Sequence, residues 1–435
     1  MISIPRGTRD FLPKEAARRK FIFNVIENTF IKYGYQKIET PALEMLDVLM
    51  GKYGEEGDRL IFKLLGSRED KDVAPDKGLR YDLTVPLARV VAMHDNELTF
   101  PFKRYQMQQV WRADRPQKGR YREFTQCDID VIGSKSILNE VEFIQIINDI
   151  FNTLNIKVDI CINNRKVLEG ISEYLNVGDK FIKILTILDK LDKIGISEVR
   201  KELMSSGFSV DLINKLATLI ELTGTNYNNI NELRDKLSNG FIGTEGLNEL
   251  ETLLEKLDLL KINNVFFDVS MVRGLSYYTG TIIEVKPTEV KIGSVCGGGR
   301  YDNLTSIFKS KKEYEGVGIS FGADRIYDVM EELNLFPINL EVPCTMMFAN
   351  FGDEEIETVL PIATELRKKG MSIMIYPDSD GKSASLKKQF SYASKLGISY
   401  VAVIGKDEIA NETITIKMME TGNQYTVTLK EFLEK

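Results

Sequence analysis

The sequence is nearly without the side chain that most often moves protons: of 435 residues, one, His94, is histidine. A Ser/His/Asp triad would have to be built on that single ring, and a histidine-rich metal site cannot be built at all, so neither chemistry is expected. His94 lies in "RVVAMHDNE", near the end of an apolar helical run, where a capping or surface role is expected. Cysteine is also sparse. The four, Cys127, Cys161, Cys296 and Cys344, form neither a CxxC pair nor a metal-ligand spacing, which suits free thiols in a reducing compartment. No apolar run reaches the roughly 18 residues needed to cross a bilayer, and the opening "MISIPRGTRDFLP" has no apolar core of signal-peptide length. A soluble cytoplasmic protein with no membrane partner is therefore expected. The usual nucleotide loops are missing too: "VCGGGRYD" and "GVGISFG" do not fit G-x-G-x-x-G, and there is no Walker loop. Three consecutive glycines instead suggest a close approach of backbone to a ligand or a neighbouring strand.

What is present is an ordinary globular composition. Hydrophobic residues at 43% and charged residues at 28% allow each of two or three domains to bury its own core. The formal charge of -7 argues against a uniformly basic surface. It still admits a polyanionic partner, because phosphate responds to local potential rather than net charge.

Apolar Ala17, Phe21, Val25, Ile26 and Phe30 recur near helical spacing between Lys14 and Tyr33, and Gly34 follows as a stop signal. "YQKIETPALE" then reads as extended. Two strand candidates, "FKRYQMQQVWR" and "FTQCDIDVIG", flank a loop that puts Arg112, Arg115, Lys118, Arg120 and Arg122 within eleven positions. This predicts an antiparallel hairpin with a long, charged tip. Residues 180 to 260, rich in Leu, Lys, Glu and Asn, read as a helical insertion, and strand-like sequence returns at "NVFFDVSMVRGLSYYTGTIIEVK". After a boundary at "LNLFPINLEVP", the short apolar strings "CTMMFAN", "SIMIYP" and "YVAVIG" alternate with helical patterns at 353–369 and 383–396, which predicts a small α/β domain with a largely parallel sheet.

The basic tip admits three readings: a solvated loop, a protein-interaction surface, or a clamp whose arginine forks hold phosphate. Behind it Gln126, Asp128 and Asp130 alternate, so their side chains share one face of a strand. Two acids and an amide make poor core. They suit a ligand that carries an ammonium group and other donors.

Six strings in order, "RGTRDFLP", "LRYDLTVPLAR", "VWRADRPQKGRYREFTQCDIDVIG", "RGLSYYTG", "GGGRYDNL" and "GVGISFGADRI", closely resemble the histidyl-tRNA synthetase family of class II aminoacyl-tRNA synthetases. The resemblance spans almost the whole chain. It implies an α+β catalytic domain, an antiparallel sheet flanked by helices, interrupted by a helical insertion and followed by a C-terminal α/β anticodon-binding domain. The boundaries expected are 1–175 and 261–335 for the catalytic domain, 176–260 for the insertion and 341–435 for the anticodon-binding domain. The first helix and the stretch ending at Pro41 look like the class's dimer-forming motif, so a homodimer is implied.

The family reaction joins histidine to ATP as histidyl-adenylate and then passes the histidyl group to the 3′-terminal adenosine of tRNA(His). By resemblance, Arg112, Arg273 and Arg325 are the catalytic cations, and Arg112, Glu123 and Arg325 bind ATP, with Mg2+ accompanying the nucleotide. Asp82, Thr84 and Gln126 match positions that hold the α-ammonium group; Asp130 and Tyr278, with Tyr277 beside them, match the imidazole site. Arg115, Gln117, Lys118, Arg120 and Arg122 match the loop that meets the tRNA acceptor end. Many relatives have Glu at positions 82 and 130 and Asp at 276, so the shorter Asp82 and Asp130 need compensation from their surroundings. A rival reading is a histidine-sensing regulatory subunit of ATP phosphoribosyltransferase. Such chains generally lack the C-terminal domain and lose active-site arginines, whereas this one keeps Arg112, Arg273 and Arg325.

Overall fold

The computed structural model describes all residues except 1, 53, 66–73, 118, 239, 273–277, 303–307, 309–311, 379–384 and 435, and omits the side chains of 54–56 and 192. The chain divides into two units, Met1–Asp10 with Arg19–Phe336, and Pro337–Lys435 with Phe11–Arg18.

In the first unit, β1 (Gln36–Lys37) precedes a small antiparallel sheet of β2 (Leu43–Met45), β3 (Lys63–Leu64) and β4 (Lys77–Leu79). The long strands β5 (Phe102–Trp111) and β6 (Glu123–Ile132) follow, then β7 (Val158–Asn164), β8 (Val265–Phe267), β9 (Thr281–Pro287), β10 (Cys296–Arg300) and β11 (Gly316–Gly322). These form an eight-stranded sheet in the order β1-β5-β6-β11-β10-β9-β7-β8. Five of its pairings are antiparallel; only the edge strands β1 and β8 run parallel to their neighbours. The antiparallel sheet expected from the sequence is thus present, with parallel edges.

The predicted hairpin is β5 and β6, in register from Phe102 opposite Ile132 to Trp111 opposite Glu123. Its two faces separate by alternation. Tyr105, Cys127, Ile129 and Val131 join the main core, with Ile22, Ile26 and Phe30 of the helix Pro13–Lys32 and Phe143 and Ile147 of the helix Leu138–Thr153. The Phe30 ring lies 5.7 Å from those of both Tyr105 and Phe321, so helix and sheet lock through aromatic contacts. Each such fully buried side chain contributes roughly 1.5–3 kcal/mol. The opposite face carries Arg104 and Gln106 on β5 and Gln126, Asp128 and Asp130 on β6.

Among the described residues, six α-helices and one 3-10 turn occupy Arg165–Leu259, the first beginning ahead of position 176, where the sequence suggested the insertion starts. Asn164 starts the first, its side chain accepting from the Lys166 amide. That helix packs on Phe241–Leu259 where a Cβ at Gly170 would lie 2.5 Å from the Gly243 Cα, a spacing that only glycine permits.

The second unit contains β12 (Met346–Phe348), β13 (Ile373–Ile375), β14 (Tyr400–Val403), β15 (Thr413–Met418) and β16 (Gln424–Thr428), in the order β13-β12-β14-β15-β16. Helices Asp353–Lys368 and Leu386–Lys395 fall where the pattern put them. The expectation of a largely parallel sheet needs correction: β12 is parallel to β13 and β14, but β14-β15 and β15-β16 are antiparallel. The missed hairpin ends in an edge strand that is almost wholly exposed, although "QYTVT" does alternate, with Tyr425 and Val427 between polar residues. Among the described residues, no helix is long and apolar enough to cross a membrane.

Candidate active site

Two adjoining cavities open on the polar face of the large sheet. The inner one, about 160 Å³, is walled by Asp82, Thr84, Gln126, Asp128, Asp130 and Tyr278, with Tyr301, Ser320 and three glycines. The outer one, about 420 Å³, takes in Arg120, Tyr121, Phe124, Glu284 and Arg325. Arg112, Gln126, Tyr278, Gly297, Gly298 and Ser320 line both, so the two volumes adjoin, with Arg112 the cation on their shared wall.

The glycines make this room. A Cβ at Gly318 would overlap the Asp130 carboxylate, and one at Gly298 would overlap the Gly318 carbonyl. The close approach suggested by "GGG" is therefore to neighbouring strands, with Gly297 and Gly298 forming part of the cavity wall.

Arg112 stands where β5 leaves the sheet. Its guanidinium lies 4.2 Å from the Tyr81 ring centroid and 5.2 Å from that of Phe124, and its Nε donates to the Tyr81 carbonyl at 3.1 Å. Stacking and one hydrogen bond thus fix its plane. Arg325, in the first turn of the helix Ala323–Glu332, donates from Nε to the Gly119 carbonyl at 2.9 Å and from Nη1 to the Ser294 carbonyl at 2.8 Å. The preceding Asp324 is held by Arg9 and Arg19 and by the Thr125 amide at 3.0 Å. It is a buried brace for the loop and helix.

The inner cavity concentrates carboxylates. Asp82 Oδ1 accepts from the Val85 amide at 3.1 Å, tying it to the first turn of the helix Thr84–His94. Asp130 faces Arg104, whose Nη2 is 2.7 Å from Oδ2, and accepts a hydrogen bond from the Tyr301 hydroxyl. Arg104 is wholly buried. Burial raises the Asp130 pKa, with Arg104 and the Tyr301 hydrogen bond opposing it. Asp128 is pushed up to about 7 by burial, against the pull of Arg104 and with the repulsion of Asp130. Burial, then Asp130, drives the Tyr301 hydroxyl well above its ordinary value, so it stays a donor.

Of the residues singled out in the sequence, Asp82, Thr84, Arg112, Arg120, Gln126, Asp130, Tyr278 and Arg325 line these cavities. Arg115, Gln117, Arg122 and Glu123 line neither. Arg122 donates from Nε to the Asp114 carbonyl at 3.0 Å, bracing the loop, and Arg115 and Gln117 are exposed. Lys118, Arg273, Ser276 and Tyr277 lie outside the described residues. His94 ends its helix, its Nδ1 2.9 Å from Glu97 Oε1, in the surface role expected. Arg104, Tyr301 and Ser320 were missed. A signal for Arg104 existed: Arg104, Gln106 and Gln108 alternate on β5 just as Gln126, Asp128 and Asp130 do on β6.

The sequence model of histidyl-tRNA synthetase matches residues 7–326, and that of an anticodon binding domain matches 344–435. The chain belongs to the histidyl-tRNA synthetase family. It is 49% identical to a histidine–tRNA ligase of Azobacteroides pseudotrichonymphae, over 99% of this chain and 97% of that protein. A histidine–tRNA ligase of Porphyromonas gingivalis is 48% identical over 97% of this chain and 96% of its own. The crystal structure of histidyl-tRNA synthetase from Nostoc superposes with a TM-score of 0.85 at 32% identity, covering 100% of this chain and 99% of that one. A Bacillus halodurans structure titled as an ATP phosphoribosyltransferase regulatory subunit/histidyl-tRNA synthetase has a TM-score of 0.74 at 22% identity, covers 90% of this chain and 96% of that one, and shares the fold. The family fold, a class II catalytic domain with an anticodon-binding domain, accounts for the large sheet with its helices and for the second unit.

Proposed function

We propose that the chain charges tRNA(His) with histidine, and that the two cavities divide the first step between them. It is a histidine–tRNA ligase that uses ATP, as its relatives' identity over nearly their full length indicates. The observation that carries the division of labour is that the two cavities adjoin, with Arg112 on their shared wall.

Histidine occupies the inner cavity, its ammonium group toward Asp82, Thr84 and Gln126 and its ring toward Asp130 and Tyr278, with Tyr277 supporting that site. ATP occupies the outer one, between Arg112 and Arg325 and beside the start of β6, where Glu123 stands. The histidine carboxylate attacks the α-phosphorus, the bond to the β-phosphate oxygen breaks, and pyrophosphate leaves. The 3′-terminal hydroxyl of the tRNA then attacks the carbonyl carbon and AMP departs. Negative charge grows on phosphate oxygens in the first step and on the carbonyl oxygen in the second. Fixed arginines stabilise both, because their orientation is set before the reaction begins. They act by field and hydrogen bonding, since a guanidinium does not give up its proton in a protein. Arg273 belongs to this set by family position. Mg2+ would come with the ATP phosphates; the outer cavity's wall offers the carboxylates Asp114, Glu284 and Asp324, of which Asp324 is already held by Arg9 and Arg19. Arg115, Gln117, Lys118, Arg120 and Arg122 meet the acceptor end of the tRNA. Their phosphate contacts position that end without reading its sequence.

The enzyme works as a cytoplasmic homodimer in this reading. Leu43 and Met45, half-exposed on β2, supply apolar surface beside the stretch that resembles the class's dimer motif. The regulatory-subunit reading loses ground, because the anticodon binding domain that such chains generally lack is matched here over 344–435.

Incubation with ATP, labelled histidine and total tRNA tests the proposal. Base-labile label in the tRNA is expected. Histidine binding without any label in tRNA would contradict it.

A further inference from the structure

The carboxylates of the inner cavity are not equivalent. Asp130 accepts from the Tyr301 hydroxyl at Oδ1, and its Oδ2, which has no aligned hydrogen bond, forms an ion pair with Arg104 Nη2 at 2.7 Å. Asp128, one pleat nearer the outer cavity and 3% exposed, has a different environment. Its cross-strand neighbours are Gln106 on β5 and Ser320 on β11. Gln106 has no donor to spare: its Nε2 gives to Thr40 Oγ1 at 2.8 Å and Gln108 Oε1 at 2.6 Å, while its Oε1 accepts from Arg104 at 3.3 Å. Ser320 Oγ accepts from Gln126 Nε2 at 3.0 Å and has a single proton of its own to give. Asp128 lines the inner cavity, and its buried Oδ1 has no hydrogen-bond partner among the described residues. A buried carboxylate oxygen without a donor is costly when it serves the fold alone, so a donor that arrives with the ligand is the natural partner.

We propose that Asp128 is a further specificity-determining residue of this site, whose Oδ1 accepts a ring N–H of the bound histidine beside Asp130. This rests on the reading of the inner cavity as the histidine pocket. Arg104 has the complementary task of a positioning residue: it fixes Asp130 from behind and balances part of the negative charge. The pair compensates for the reach that Asp130 loses relative to a glutamate, because a second carboxylate from the same strand face meets the ring. A neutral ring of the same shape that lacks an N–H would leave Asp128 unsatisfied and is rejected on that ground.

The test uses the full chain in ATP–pyrophosphate exchange, with histidine and with β-(thiazolyl)alanines, in which sulfur replaces a ring nitrogen and no N–H remains. The wild type is expected to prefer histidine in kcat/KM by about 10⁴. Asp128→Asn is expected to lower kcat/KM for histidine by about 100-fold or more and that for the thiazole by less than about threefold, with the KM for ATP unchanged; this estimate is a loss of about two tenfold steps. Asp128→Ser, which keeps an oxygen without the charge, gives the same comparison should the amide disturb the strand. Asp128→Glu keeps a carboxylate and is expected to retain part of the preference. Equal losses for both substrates, or no loss for either, in a wild type that exchanges with histidine would overturn the role of Asp128 and leave the histidine pocket standing. A wild type that shows no histidine-dependent exchange would remove the pocket reading itself.

Discussion

At the scale of single residues, the inner cavity trades stability for binding. Burial holds Asp128 at about 7 rather than its ordinary 3.8. Between those values the folded chain keeps a proton that the unfolded chain releases, so this group's contribution to stability falls as pH rises through the window. Asp128→Asn removes the buried charge and is expected to melt higher than the wild type at pH 8, by a free energy on the order of 1 kcal/mol or more, with the difference vanishing below pH 4. A thermal scan at the two pH values checks this; a lower melting point for Asp128→Asn at pH 8 would mean that the carboxylate serves the fold. Activity should move the other way. The groups that face Asp128 are Arg104 on β5, Asp130 beside it, Ser320 on β11 and Asp82 ahead of the helix Thr84–His94. With that set fixed, kcat/KM for histidine falls as pH drops below about 7 in the wild type, and Asp128→Asn loses the part of that limb that is not the substrate's own titration. Arg104→Met should leave Asp130 a buried charge without its counterion, which costs about 3–5 kcal/mol where it is held ionised. Asp130 then keeps its proton to higher pH, and the acid limb for histidine moves to more alkaline values. Arg104→Lys is expected to restore part of the shift.

At the scale of elements, the site depends on β11 presenting only glycines and Ser320 on the face it shares with Gln126, Asp128 and Asp130 of β6. A methyl group at Gly318 would meet the Asp130 carboxylate and lie 2.9 Å from the Ile129 carbonyl, so either Asp130 or the strand must move. Gly318→Ala is expected to destabilise the chain by about 1–3 kcal/mol and to raise the histidine KM by more than about tenfold; calorimetric titration with histidine would contradict this if affinity were unchanged. The same elements show what the sequence could and could not display. The β5-β6 hairpin and the shared face of Gln126, Asp128 and Asp130 were legible, because period-two alternation and a charged tip are local signals. Arg104 was not recognised as the partner of Asp130, because they become neighbours only through a register set 26 residues apart in the chain. Tyr301 and Ser320 depend on still more distant pairings. The β15-β16 hairpin went unrecognised although both strands alternate, "TITIKM" and "QYTVT", a signal that was local and readable.

At the scale of the whole molecule, an acidic chain must bind a polyanion with a local patch. Arg115, Arg120 and Arg122 lie on the hairpin loop of a protein whose formal charge is -7. Raising salt should therefore increase the KM for tRNA steeply, by counterion release, while histidine-dependent pyrophosphate exchange changes less. Parallel salt titrations of the two assays check this, and equal sensitivity would contradict it. Sedimentation should find a dimer of two 49.5 kDa chains, and a monomer that still charges tRNA would remove the homodimer from the account. The most direct test of the central claim is ATP–pyrophosphate exchange on the purified chain with each of the twenty amino acids in turn. Exchange that depends on histidine and is abolished by Arg112→Ala is the predicted result; no exchange with histidine, or exchange with another amino acid in its place, would contradict it.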